Sequence, residues 1–141
     1  MAALFWLSPK FIPSSVGVSV IDALIALPVL GWVLVTIFAV GFINALNMAD
    51  GANGLVPGIA VASFGVFFME YGRPMDGALL FAFTIFFILN VISGWYFLGD
   101  AGSYGLGAIL LGYGLLGVAE STFSAGFMAA MYCYPCVDFL V

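Results

Sequence analysis

Asn44-Ala-Leu-Asn-Met-Ala-Asp-Gly-Ala-Asn-Gly-Leu55 gathers three asparagines, an aspartate and two glycines within eleven positions. About twenty apolar residues lead into it, and another apolar run leaves it. The surrounding chain is 65 % hydrophobic and 6 % charged over 141 residues, against roughly 25 % charged in soluble domains. Its mean hydropathy is +1.27. Such a chain is an integral membrane protein. Its apolar runs are continuous rather than alternating, so they read as helices and not as barrel strands. The expected fold is all-α: one polytopic membrane helical bundle over residues 1–141, with four to five transmembrane helices.

Working outward from the polar stretch, the spans fall at about 29–47, 55–71, 75–93, 103–119 and 123–141. Each has roughly the length that a ~30 Å hydrocarbon layer needs. Residues 1–12 form a short apolar piece, and residues 13–28 a loop with a short interfacial segment. Met1 to Leu7 has no basic residue before it and no small-residue cleavage site, so it is not a signal peptide. Ser103/Gly107 and Ala108/Gly112 sit four apart, a spacing that suits close helix packing in lipid.

Several functions are excluded. Lys10 and Arg73 are the only basic residues, and the net charge is −5. There is no basic patch for nucleic acid. Cys133 and Cys136 form a C-x-x-C inside an apolar helix, with no histidine to complete a metal site, and read as small apolar residues.

Counting crossings sorts the acids by membrane face. Asp50 and Asp100 are separated by one helical hairpin and end on the same side. Glu70, Arg73, Asp76 and Glu120 lie on the other, and Asp138 comes back toward the first. In Asp50-Gly-Ala-Asn-Gly54 the glycines admit close backbone approach. The helix starting at Leu55 aims free N–H groups and its positive dipole end at the same loop, an arrangement suited to phosphate. Asn44, Asn47 and Asp50 follow at one-turn intervals on one face. Gly99-Asp-Ala-Gly-Ser103 repeats the arrangement of carboxylate, glycine, hydroxyl and helix start. Two carboxylates and two helix N-termini at one face point to a divalent cation with a phosphorylated ligand. Magnesium fits best, because it uses few protein carboxylates and takes its other oxygens from phosphate and water. Zinc or iron would want histidine or thiolate ligands. Helix capping explains each polar residue singly, but not their pairing on one face or asparagines at membrane depth. Asn90, ten residues before Asp100 with Phe97 between, suits either a helix–helix hydrogen bond or, with the aromatic ring, a nucleobase.

Asn47-Met-Ala-Asp-Gly-Ala-Asn-Gly-Leu55 resembles an N-x-x-D-G-x-[DN]-G-L motif, and Phe97-Leu-Gly-Asp-Ala-Gly-Ser103 resembles F-[LM]-G-D-x-G-S. Tyr134-Pro-Cys-Val-Asp138 is similar to the segment that follows two helices later. Together they resemble the polyprenyl-phosphate N-acetylhexosamine-1-phosphate transferases, a family that includes the phospho-MurNAc-pentapeptide translocase and the transferases that start O-antigen synthesis. Asn53 looks more like the O-antigen and capsule (lipopolysaccharide) branch. The resemblance implies transfer of a sugar 1-phosphate from a UDP-N-acetylhexosamine to undecaprenyl phosphate, with Mg²⁺ and release of UMP. It implies a multi-pass protein of the bacterial inner membrane with its site on the cytoplasmic face. By position, Asp100 would be the magnesium ligand, and Asp50 and Asn47 would line the catalytic cleft. Gly51, Asn53, Asn90 and Phe97 would contact the uridine. A homodimer is compatible with this reading.

The family also carries an Asp-Asp pair on an earlier loop and a histidine-rich loop after the helix of Tyr134–Asp138, and this chain has neither. The expectation is a fragment of a larger bundle with little turnover alone. The motif-based orientation puts Lys10 and Arg73 outside, against the positive-inside tendency. Two other functional classes fit the composition: a transporter or channel element, built on Gly-broken helices with intramembrane Asn and Asp, and a non-catalytic membrane protein whose polar loops are caps.

Overall fold

The computed structural model describes residues 11–140. All regular structure among them is helical: α1 Ser19–Ile25, α2 Pro28–Ala49, α3 Leu55–Tyr71, α4 Pro74–Ser93, α5 Gly99–Ala119 and α6 Ala125–Leu140. The chain is thus an all-α membrane bundle. Proline opens α2 and α4 at the first turn, where its missing N–H would have no helical partner and its fixed φ suits the helix. Residues 1–10 of the apolar piece expected at 1–12, Val141 of the last span, and the side chains of Cys136 and Asp138 lie outside the described residues.

Among the described residues three helices are long and apolar enough to cross a membrane: Val29–Ala49, Pro74–Ser93 and Gly99–Ala119. The expectation was four to five. α3 is apolar but has 17 residues; at ~1.5 Å per residue it rises about 26 Å, a little short of the ~30 Å hydrocarbon layer. α6 has 16 residues with Pro135 inside it. α5 starts at Gly99, four residues before the expected 103. The earlier start is favourable because it puts Asp100 in the first turn, where a carboxylate meets the positive dipole end.

α2 packs on α5 and α6, while α3 packs on α4. The core is built from Phe42 and Leu46 of α2, Val56, Phe64 and Phe67 of α3, and Leu110 and Leu111 of α5, all nearly inaccessible. Lipid tails are as apolar as leucine, so close contact rather than escape from water holds such helices together. Of the two small-residue pairs, Ser103 and Gly107 are buried, and a Cβ on Gly107 would sit 3.4 Å from Ile43 Cα. Gly112 is different, since a Cβ there would meet nothing within 4 Å. The Ala108/Gly112 pair therefore does not mark a close crossing. Phe67 stacks on Tyr113 at 4.7 Å between ring centroids, tying α3 to α5.

α4 is an edge helix. Phe81, Ile85, Ile88 and Ile92 are exposed along it, and two polar clusters hold its ends. At its start the fully buried Asp76 accepts hydrogen bonds from Arg73 Nε at 3.0 Å and Tyr113 Oη at 2.5 Å. The Arg73 guanidinium also lies 4.1 Å over the Tyr71 ring. At its end stands Asn90. Ahead of α2, Asp22 accepts from Ser15 Oγ at 2.8 Å and Val16 N at 2.6 Å, and these bonds to the charged form hold its carboxyl below the usual range.

Candidate active site

The C-terminal end of α2 and the N-terminal end of α5 meet at one end of the bundle, and their polar side chains form one network. Asn47 Nδ2 donates to Ser103 Oγ at 2.7 Å and to Asp100 Oδ1 at 3.2 Å. Ser103 Oγ lies 2.9 Å from the Gly99 carbonyl, to which it donates. Asp50, just past the last turn of α2, accepts the Gly99 N–H on Oδ2 at 2.9 Å. Its other oxygen, Oδ1, is buried and has no hydrogen-bond partner among the described residues. Asp50 as a whole is only 7 % exposed. Burial pushes its carboxyl above the usual range, the backbone N–H groups of Gly99 and Leu98 pull it back, and the charge of Asp100 pushes it up again.

Two glycines make this approach possible. Gly99 has φ +65°, left-handed backbone that turns the chain into α5 with its N–H facing Asp50. Gly54 has φ +79°, and a Cβ there would stand 2.8 Å from Val91 Cγ2. Left-handed backbone strains any residue with a Cβ.

The structure brings Asn47, Asp50 and Asp100 together, as their shared face implied. Asn44 does not join them. Its Nδ2 turns back to the Val40 carbonyl at 2.8 Å, beside an outward groove with Ile37, Gly41 and Met48. A step of three residues is 300° of helical turn, and α2 ends before the drift can be recovered. Gly51 and Asn53 are exposed on the loop between α2 and α3, with Asn53 Nδ2 against Gly94. Phe97 is 47 % exposed on the loop between α4 and α5. Asn90 is 1 % exposed. Its Oδ1 accepts the Gly54 N–H at 2.5 Å, and its Nδ2 donates to the Tyr96 carbonyl.

The expected phosphate cradle at the start of α3 is partly occupied. Gly54 N–H is taken by Asn90, and Leu55 N–H by the Ala52 carbonyl at 3.2 Å. Pro57 has no N–H. The start of α5 offers a second helix end, whose first-turn N–H groups lack intrahelical acceptors. Asp50 and Asp100 already offset its dipole, and the only basic side chain among the described residues, Arg73, is at the far end of α4 from this site. The oxygens on offer are hard donors, the kind magnesium takes, and Asp50 Oδ1 is a buried acceptor with nothing yet to bind. No cluster of three or more histidine, cysteine or acidic side chains occurs among the described residues.

In the sequence Ser103 reads either as the hydroxyl of the second polar junction or as a helix cap. It is also the main partner of Asn47. The roles of the Gly99 N–H and the Tyr96 carbonyl carry no sequence signal, because every residue has a backbone carbonyl and nearly every one an N–H.

Comparison with known proteins adds to this geometry. The profile of glycosyl transferase family 4 matches residues 1–119. Phospho-N-acetylmuramoyl-pentapeptide-transferase of Latilactobacillus sakei is 36 % identical over 89 residues, covering 58 % of this chain and 28 % of the relative. The protein of the same name from Listeria welshimeri is 36 % identical over 98 residues, covering 62 % and 30 %. That from Lactiplantibacillus plantarum is 36 % identical over 87 residues, covering 57 % and 27 %. The matched part thus spans less than a third of each of these relatives. No solved structure matches the chain.

Proposed function

The chain belongs to glycosyl transferase family 4, and from that premise we propose that its site serves transfer of a sugar 1-phosphate from a UDP-N-acetylhexosamine to undecaprenyl phosphate. A phosphate oxygen of the lipid attacks the sugar-bearing phosphorus of the nucleotide. The bond from that phosphorus to the bridging oxygen breaks, and UMP leaves with that oxygen. The observation that carries this reading is the convergence of Asp50 and Asp100 on the start of α5, with Asp50 Oδ1 buried and unpartnered.

Asp100 would hold Mg²⁺, with Asp50 Oδ1 the second acceptor on offer. When bound, the ion supplies charge neutralisation for the diphosphate. The chain's own residues do the positioning, which is most of what phosphoryl transfer asks of a protein. Asn47 holds the Asp100 carboxylate by one oxygen and leaves the other free. Asp50 fixes Gly99 and with it the first turn of α5. Gly51 and Asn53 on one loop, and Phe97 on the other, are exposed where a uridine would lie, the ring of Phe97 offering a stacking face. Transfer would take place at the cytoplasmic face of a bacterial inner membrane, in envelope glycan synthesis. The relatives above are named as pentapeptide transferases, so Asn53 alone supports the O-antigen or capsule branch.

The test is UMP release by purified protein given UDP-N-acetylhexosamine, undecaprenyl phosphate and Mg²⁺. UMP should appear in step with a lipid-linked sugar and stop with a chelator. UMP formed without a lipid product, or no UMP from a full-length protein that carries these residues, would refute the reading; residues 1–141 alone should give little turnover.

A further inference from the structure

Asn90 is buried at the last turn of α4, and its carboxamide spans the two loops that carry the site. We propose that it is a positioning residue that locks these loops together and presents Phe97, rather than a group that touches the ligand. One end of the amide accepts from Gly54 N–H, on the loop that bears Gly51 and Asn53. The other donates to the Tyr96 carbonyl, on the loop that bears Phe97. The residue's own backbone carbonyl accepts the Gly94 N–H at 2.9 Å and closes α4. Two backbone segments thus depend on one side chain that is 1 % exposed, and a third on the same residue's backbone carbonyl.

The consequence falls on Phe97. Its loop is held at Tyr96 by Asn90 and at Gly99 by Asp50. The Phe97 ring stands between these two fixed points. A buried amide with both ends satisfied specifies a geometry strongly, because losing either bond leaves a desolvated group unpaired. Val91 and Phe87, one residue after Asn90 and one turn before it, pack against Gly54 and reinforce the same junction. The lock is a property of the chain without ligand. Only the identity of the ligand, a uridine nucleotide, rests on the function proposed above.

The experiment uses the full chain with Trp6 and Trp32 replaced by Phe, leaving Trp95 beside Tyr96 as the sole tryptophan. Exchange of the Gly54 amide and Trp95 anisotropy are measured without ligand, and UDP affinity with Mg²⁺. Asn90→Ala should speed Gly54 exchange about tenfold, as loss of one buried hydrogen bond does. It should also lower Trp95 anisotropy and weaken UDP binding. Asn90→Asp keeps the acceptor and loses the donor, so it should protect Gly54 yet still free Trp95. This split needs no ligand and holds even if the alanine variant folds poorly. Weakened UDP binding with unchanged Gly54 exchange and Trp95 anisotropy would make Asn90 a contact residue and overturn the proposal. So would loosened loops with UDP affinity unchanged. A parent chain that fails to bind UDP would count against the proposed function, while the ligand-free readouts would still decide the lock.

Discussion

In a full-length protein that carries these residues, Asp100→Asn should lower UMP release by about 10²–10³-fold, the usual cost of removing one preorganised group that stabilises developing charge. The substitution keeps the shape of the side chain and an oxygen for the Asn47 amide, so the α2–α5 contact has no reason to open. What is lost is the negative charge at an exposed position in the first turn of α5. In the proposed function that charge holds the cation, and no basic side chain among the described residues can take its place. Far-UV circular dichroism should match the parent while transfer collapses. If the variant retains near-parental turnover, Asp100 is a cap and not a ligand. Asp50→Asn tests a different role. Asp50 has one oxygen on Gly99 N–H, so this variant should disturb the geometry of α5's first turn as well as the charge.

The second large effect is on stability, at the opposite end of the bundle. Arg73→Met should destabilise the protein by about 3 kcal/mol. Uncompensating a buried charge costs roughly 3–5 kcal/mol, and the low end applies because the Arg73 side chain is 52 % exposed and so partly screened by solvent. Asp76 would be left fully buried with Tyr113 Oη as its remaining partner. Adding Asp76→Asn to the same chain removes the stranded charge and should recover most of the loss. Unfolding of the single and double variants in detergent gives the coupling directly. Additive losses would mean that the ion pair does not fasten α4.

The helices were legible because each is written twice in the sequence. Apolar runs set their extent, and Pro28, Gly54, Gly72, Pro74 and Gly94 punctuate them. The start of α5 was misplaced because Gly99-Asp-Ala-Gly looks like a turn until Asp50 is seen accepting the Gly99 N–H. That contact joins residues 49 apart and has no local signature. The meeting of Asn47, Asp50 and Asp100 was legible through topology alone, since an odd number of crossings apart would have separated them. The site's finer geometry was not. Whether Asn44 faces the bundle or the outside depends on a few tens of degrees of helix rotation. The occupancy of Asn90 depends on backbone groups that any sequence would possess. In the sequence Asp76 is one of four charged residues on the second face, and nothing local signals its burial against Tyr113 of α5.

In the proposed function Asp50 and Asp100 form one acidic site that accepts a uridine diphosphate only together with a magnesium ion. Calorimetric titration of the chain with UDP, with and without Mg²⁺, tests it most directly. Binding should require Mg²⁺, disappear with chelator and be lost in Asp100→Asn. UDP binding of equal strength without a divalent ion, or unchanged by Asp100→Asn, would contradict it.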